Sequence, residues 1–164
     1  MSDAVFIPAG ESPGAAATAE RVVATDLARG PWDPHAQHGG APAALIVRAF
    51  EGQPGGEELI LARITYELLR PVPLGALEVR AEIVRPGRRV QLLEASLRSE
   101  DGVEVMRARG LRVQRSDAAA SPAAHGDDGP GAAYAAVPLG PAQGRPGEFP
   151  SSSGRMFATD AMDV

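Results

Sequence analysis

Side chains and glycines that could take part in catalysis gather in one short stretch, residues 32–40. It holds an acid, Asp33, two histidines, His35 and His38, and the pair Gly39 and Gly40 directly ahead of an apolar run. A helix that starts after two glycines leaves its first backbone N–H groups uncovered. Those donors and the helix dipole can hold a carbonyl oxygen or a phosphate. The glycines could also simply turn the chain before a helix.

A base for chemistry at this helix start would come from Asp33, His35 or His38, and Gln37 could orient a water molecule. Each has a plainer interpretation, because an Asp before Pro34 suits a turn and a loop histidine often serves as a cap. His35 and His38 are three residues apart, but no acidic residue or Cys stands at metal-site spacing around them. The sequence therefore predicts neither a metal nor a cofactor.

The element that must position these groups is an amphipathic helix, predicted over residues 43–51 with Pro42 in its first turn. Its apolar face consists of Leu45, Ile46, Ala49 and Phe50. The glycines and the proline of residues 52–56 end it.

Strand-like runs surround this helix. Two short ones precede it, at residues 5–7 and 20–27, and four follow in succession, at 59–70, 77–84, 89–99 and 103–114. Apolar and polar residues alternate most clearly in 77–84, and Asp101–Gly102 predicts a hairpin between the last two runs. One helix with an antiparallel meander predicts an α+β fold in which a single curved sheet wraps around the helix.

The predicted strand faces assign most charged side chains to solvent. In the run 59–70, alternation places Ile60, Ala62, Ile64, Tyr66 and Leu68 on one face. In the run 103–114, the apolar positions are Val103, Val105, Leu111 and Val113. The arginines between Arg63 and Arg115 are then expected at outward positions, although they could form a local basic face. Glu67 could face a tunnel but fits solvent better.

Composition limits the class of protein. The 164 residues suffice for one core of ordinary size, and a net charge of −5 argues against general nucleic-acid binding. There is no Cys and no apolar run of membrane-spanning length, so a cytoplasmic chain is expected. Residues 1–115 read as one domain. Ala, Gly and Pro dominate residues 116–148, which indicates a linker or tail, and strand character returns in 149–164.

Four segments together resemble the acyl-CoA thioesterase II-like family, whose chains carry two hotdog domains. The segments are Trp32 with His38-Gly39-Gly40, Leu69-Arg-Pro-Val-Pro-Leu-Gly75, Arg85-Pro-Gly-Arg-Arg-Val-Gln91 and Ala108-Arg-Gly-Leu-Arg-Val113. The resemblance covers roughly residues 20 to 115. It implies the hotdog fold and hydrolysis of acyl-CoA thioesters to free acid and CoA.

In hotdog enzymes generally, a glycine-rich helix start polarises the thioester carbonyl, so the resemblance implies this role for Gly39 and Gly40. It assigns no base, and Asp33, His35 and His38 are candidates only by their proximity in sequence. Contacts to the acyl-CoA are expected from Trp32, Gln37, Arg85, Arg88 and Arg89. The three arginines lie at a turn that could meet the CoA phosphates, or they form an ordinary charged hairpin tip.

The chain departs from the family after its first domain. Residues 157–164 resemble the opening strand of a second hotdog whose remainder is missing, and the family's catalytic carboxylate belongs to that second half. The resemblance thus leaves three alternatives: a homodimer or second hotdog subunit that completes the enzyme, a non-catalytic acyl-CoA-binding or assembly module, or a structural subunit of another hotdog chain.

Overall fold

The computed structural model describes residues 4–11, 19–55 and 58–115. Six strands and one α-helix make up this part of the chain: β1 Phe6–Glu11, β2 Ala19–Ala24, α1 Gly40–Glu51, β3 Leu59–Leu68, β4 Gly75–Arg85, β5 Val90–Ser99 and β6 Glu104–Gln114. A short 3-10 turn, Asp26–Ala28, follows β2. The predicted linker at 116–148 and the predicted second-hotdog start at 149–164 lie outside the described residues.

The six strands form one antiparallel sheet in the order β1-β2-β4-β5-β6-β3. The chain passes from β2 through α1 to β3, so the helix crosses from one side of the sheet to its far edge. It packs against β4 and β5 at the centre of the sheet. This arrangement confirms the predicted α+β fold, with one helix held by one curved sheet.

The core lies between α1 and the inward row of the sheet. Leu45, Ile46 and Phe50 of the helix are buried, as the predicted apolar face requires, and Ala49 is half-buried. The helix begins earlier than predicted, at Gly40. On β4, Leu77, Val79 and Ala81 are almost fully buried, so the alternation of this strand is confirmed.

Two register shifts change which residues face the helix. A shift between Leu61 and Arg63 in the β3–β6 pairing breaks the predicted face of β3: Leu61, Ile64 and Tyr66 pack on the core, while Ile60 is exposed. A second shift, between Leu97 and Arg98 in the β5–β6 pairing, accompanies burial of two consecutive β6 residues, Val105 and Met106. The buried row of β6 then continues through Ala108, Gly110 and Arg112.

The predicted face of β6 is therefore wrong beyond Val105. Leu111 and Val113 are only half-buried, while Arg112 is 1% exposed. The expectation that the arginines point outward holds for Arg107 and Arg109 but fails for Arg112. A β-bulge adds one residue to a strand and so reverses the facing of every residue that follows it.

Candidate active site

The loop that leads into α1, residues 29–39, is tied to its neighbours mainly by backbone hydrogen bonds. The Gln37 N–H donates to the Val72 carbonyl at 2.8 Å, and the His38 N–H donates to the Ala28 carbonyl at 2.8 Å. Gly30 passes close beneath: a Cβ there would lie 3.1 Å from backbone atoms of Gln37 and His38. These bonds fix the chain on both sides just before the helix begins.

Some backbone N–H groups at the helix start have an acceptor and one does not. The Gly40 N–H donates to Nδ1 of His38 at 3.1 Å, and the Ala41 N–H donates to the His38 carbonyl at 2.9 Å. Within the described residues, the Gly39 N–H has no hydrogen-bond acceptor. A Cβ on Gly39 would lie 3.7 Å from the Leu68 side chain, which is itself 59% exposed. One open backbone donor therefore lies beside an accessible apolar side chain.

His38 acts as a local cap in this arrangement. Because Nδ1 accepts a hydrogen bond, a neutral ring carries its proton on Nε2. The ring stacks on Trp32, with 5.8 Å between centroids and 15° between planes, and Trp32 is 79% exposed. In this conformation both ring nitrogens of a neutral His38 are occupied, one as acceptor and one as N–H. The ring would have to release Gly40 before it could take a proton.

Asp33 and Gln37 also have local partners. Oδ1 of Asp33 accepts the His35 N–H at 2.8 Å, the arrangement of a turn residue. Gln37 is 7% exposed and its Nε2 donates to the Pro73 carbonyl at 2.7 Å. Its Oε1 is buried and has no donor among the described residues. Gln37 thus presents an acceptor that the loop itself leaves unused.

Arg85, Arg88 and Arg89 lie at the opposite end of the sheet. All three are exposed, and they flank the turn from β4 to β5. β4 starts at Gly75, beside the site loop, and its 11 residues extend for roughly 33 Å before that turn. Within one chain, the structure does not bring these arginines to Gly39.

Glu67 points away from the helix. Its carboxylate lies 3.9 Å from Arg107 on the outer face of the sheet, and its side chain is 59% exposed. The same face carries a groove of about 490 Å³ lined largely by charged side chains, including Arg80, Glu94 and Arg109. This groove is on the other side of the sheet from the helix start.

Sequence reasoning missed two residues beside the helix start. The Tyr66 hydroxyl donates to the Ala43 carbonyl at 3.3 Å, and partial burial raises the pKa of this phenol above its ordinary value. Leu68 lies next to Gly39. Alternation had already placed both on one face of β3, but the sequence does not show that this end of the strand lies beside the start of α1.

Comparison with known proteins identifies the family of this chain. The family model for the acyl-CoA thioesterase N-terminal domain matches residues 28–113, more than half of the chain. The chain belongs to this family. The match begins at the site loop and extends to the end of β6, and it confirms the resemblance drawn from the four sequence segments.

Solved structures show the same fold. The E. coli PaaI protein of the phenylacetic acid degradation operon is 17% identical, with a TM-score of 0.54 over 68% of this chain and 80% of that one. A Bacillus halodurans protein solved with CoA is 20% identical, with a TM-score of 0.51 over 58% of this chain and 66% of that one.

A third structure, a thioesterase II candidate from Thermobifida fusca, is 18% identical, with a TM-score of 0.55. The match covers 70% of this chain but 38% of that protein. No curated protein sequence matches the chain. No helix among the described residues has the length and hydropathy to cross a membrane.

Proposed function

We propose that this chain hydrolyses acyl-CoA thioesters and that the Gly39 N–H polarises the thioester carbonyl. The observation that carries the proposal is the open donor at the start of α1 within a thioesterase-family domain. Charge builds on the carbonyl oxygen as water attacks the carbon, and a fixed N–H at the positive end of a helix stabilises that charge. The carbon–sulfur bond then breaks, and the thiolate takes up a proton to give CoA.

The accessible surface beside Gly39 suits an apolar acyl or pantetheine segment. Leu68 and Trp32 are among the most exposed large apolar side chains of the described chain, at 59% and 79%. The Oε1 of Gln37 is buried, so it would accept a hydrogen bond from a water molecule or a ligand amide only after the site loop moves. His38 and Asp33 are both engaged within the loop. We therefore assign the base to a second hotdog. His38 and Asp33 are the candidates only if the base comes from this chain.

We further propose that the active unit pairs two hotdogs along β3. Among the described residues this strand is an edge of the sheet, and an unpaired edge readily joins another strand. β3 runs from Leu59, near the arginine turn, to Leu68, near Gly39. Two copies paired antiparallel along β3 would bring the arginine turn of one copy to the end of the joint sheet that holds Gly39 of the other. Arg88 and Arg89 could then meet the CoA phosphates across the interface.

The experiment that tests the carbonyl donor compares two substitutions at one position. Gly39 has φ −56°, which suits proline, so Gly39→Pro keeps this backbone angle while a ring carbon takes the place of the N–H. Gly39→Ala keeps the N–H, and its Cβ meets Leu68 at an ordinary 3.7 Å. Thiol release from short to long acyl-CoAs measures turnover, and the chain itself has no Cys to contribute thiol.

We expect kcat of Gly39→Pro to fall about 100- to 1000-fold, the range for loss of one oxyanion donor. Gly39→Ala should keep kcat within a few-fold of the original chain. Equal turnover in both variants would exclude the Gly39 N–H as the carbonyl donor. A folded chain that releases no thiol from any acyl-CoA, alone or with a second hotdog, would instead support a non-catalytic acyl-CoA-binding module. The cytoplasmic location expected from the sequence stays a prediction, and hydrolysis of acyl-CoA would give the chain a role in lipid metabolism.

A further inference from the structure

Arg112 is a charged residue in an otherwise apolar row. The inward positions of β6 before it are Met106, Ala108 and Gly110, and all three are buried. Arg112 is 1% exposed, so its guanidinium has lost nearly all contact with water. Burial of a charge without partners is strongly destabilising, so the partners of this guanidinium indicate its role.

The partners of Arg112 belong to the segment that leaves α1. Nη1 donates to the Gln53 carbonyl at 3.2 Å and to the Pro54 carbonyl at 3.1 Å, and the Gln91 Oε1 lies 3.5 Å away. Burial lowers the pKa of the Arg112 guanidinium from its ordinary value, and the Glu51 carboxylate opposes that shift. The guanidinium thus lies at the negative end of the helix dipole. Its hydrogen bonds link the segment after the helix to β6.

A second contact beside Arg112 fixes how closely α1 approaches the sheet. A Cβ on Gly110 would lie 3.0 Å from the Phe50 ring and 3.2 Å from Leu61. The Phe50 ring, in the last turn of the helix, therefore lies directly against the backbone of β6. Contact with Gly110 sets the distance between helix and sheet, and the bonds of Arg112 set the position of the helix along its axis.

We propose that Arg112 is a positioning residue that places the Gly39 N–H by holding the opposite end of α1. The helix has 12 residues and is about 18 Å long, so as a rigid rod it transfers an axial shift at its end to its start. Its start carries the donor, and its end is bound by Arg112. The inference rests on the proposed function only for its effect on turnover, because the displacement of Gly39 is a structural consequence that can be observed separately.

The chemistry explains why arginine is required. An apolar side chain of similar volume would leave the Gln53 and Pro54 carbonyls without this donor, and buried unsatisfied groups destabilise. Nη1 makes all the printed hydrogen bonds of Arg112, and Nη2 is buried with no partner among the described residues. Lysine would keep the charge, but on an ammonium that is more strongly hydrated and therefore less suited to burial. Arg112 and Gln91 both come from sequence segments that carry the family resemblance, although the arginines expected to act in those segments were Arg85, Arg88 and Arg89.

The test compares Arg112→Met and Arg112→Lys with Arg109→Met in the full chain. Arg109 is on the same strand but points outward and pairs with Glu94 at 2.8 Å, so its loss leaves α1 untouched. The amide signals of Gly39 and Gly40 in ¹⁵N NMR spectra report the helix start, and kcat and KM report turnover. A purely local role for Arg112 would move signals near Gln53 but not near Gly39.

We expect Arg112→Met to shift the Gly39 and Gly40 amide signals and to lower kcat about 10- to 100-fold with KM nearly unchanged. Arg112→Lys should show smaller shifts in the same direction, and it supplies the answer if Arg112→Met does not fold. Arg109→Met should match the original chain. Unchanged Gly39 signals in a folded Arg112 variant would overturn the inference. If the original chain itself shows no turnover, shifted Gly39 signals in the Arg112 variants would still support the positioning role. That result would count against the proposed hydrolysis alone.

Discussion

Gly110 shows how one residue without a side chain can decide the packing of a helix. Its missing Cβ leaves the space that the Phe50 ring occupies, at 3.0 Å from where that atom would lie. Gly110→Ala should lower the free energy of unfolding by about 1–3 kcal/mol, the usual cost of overpacking a core. Urea unfolding measures it as a lower midpoint with an unchanged slope.

The matched control is Gly52→Ala, at the end of the helix. Gly52 has helical backbone angles, and its Cβ would meet the Arg48 carbonyl at 3.5 Å, an ordinary contact. Alanine there should leave stability unchanged or raise it by up to about 1 kcal/mol, because it restricts the unfolded chain. A loss at Gly52 as large as that at Gly110 would show that the Phe50 contact is not the cause.

At the scale of elements, the 3-10 turn after β2 connects the sheet to the site loop. The Thr25 hydroxyl donates to the Ala4 carbonyl at 2.8 Å and accepts the Leu27 N–H at 3.3 Å, so it caps the turn and holds the start of β1. Thr25→Ala should cost about 1 kcal/mol of unfolding free energy, as loss of a cap does, and Thr25→Ser should restore most of it. Thermal unfolding measures both.

Thr65→Ala serves as the control for Thr25, because Thr65 is an exposed residue of β3 on the outer face. Its loss should change stability by no more than about 0.5 kcal/mol, as is usual for surface positions. If Thr25→Ala changed the unfolding free energy as little as Thr65→Ala, the cap would contribute nothing to the turn. The backbone hydrogen bonds of the site loop alone would then hold the turn.

The predictability of the elements follows from the physics that specifies them. Alternation and turn residues specified the strands, the helix and the fold, because burial of one face is a local property of the sequence. The register shifts in the β3–β6 and β5–β6 pairings could not be predicted from the sequence. The shift in the β5–β6 pairing coincides with the change of face that turns Arg112 inward. The sequence also located the helix start, but not that Gly40 donates to His38 while Gly39 stays open, because such bonds depend on how the loop folds in three dimensions.

The proposed pairing of two copies antiparallel along β3 would account for two features of the described residues. It would cover the exposed edge β3, and it would shorten the distance between Gly39 and an arginine turn. We therefore expect light scattering after size exclusion to give twice the mass of one chain, and the dimer to release thiol. Charged side chains usually protect edge strands from pairing, so lysines added to β3 should prevent dimerisation.

The decisive variant is Ile60→Lys with Ala62→Lys, both exposed positions on β3. Val84→Lys is the control, because Val84 is 45% exposed, close to the 40% of Ile60, but lies on β4 inside the sheet. The β3 variant should become a monomer and lose thiol release together, while the Val84 variant stays dimeric and active. A clean monomer from the original chain at high concentration would contradict pairing along β3. If that monomer still hydrolysed acyl-CoA, the base would have to lie within this chain, with His38 and Asp33 as its first candidates.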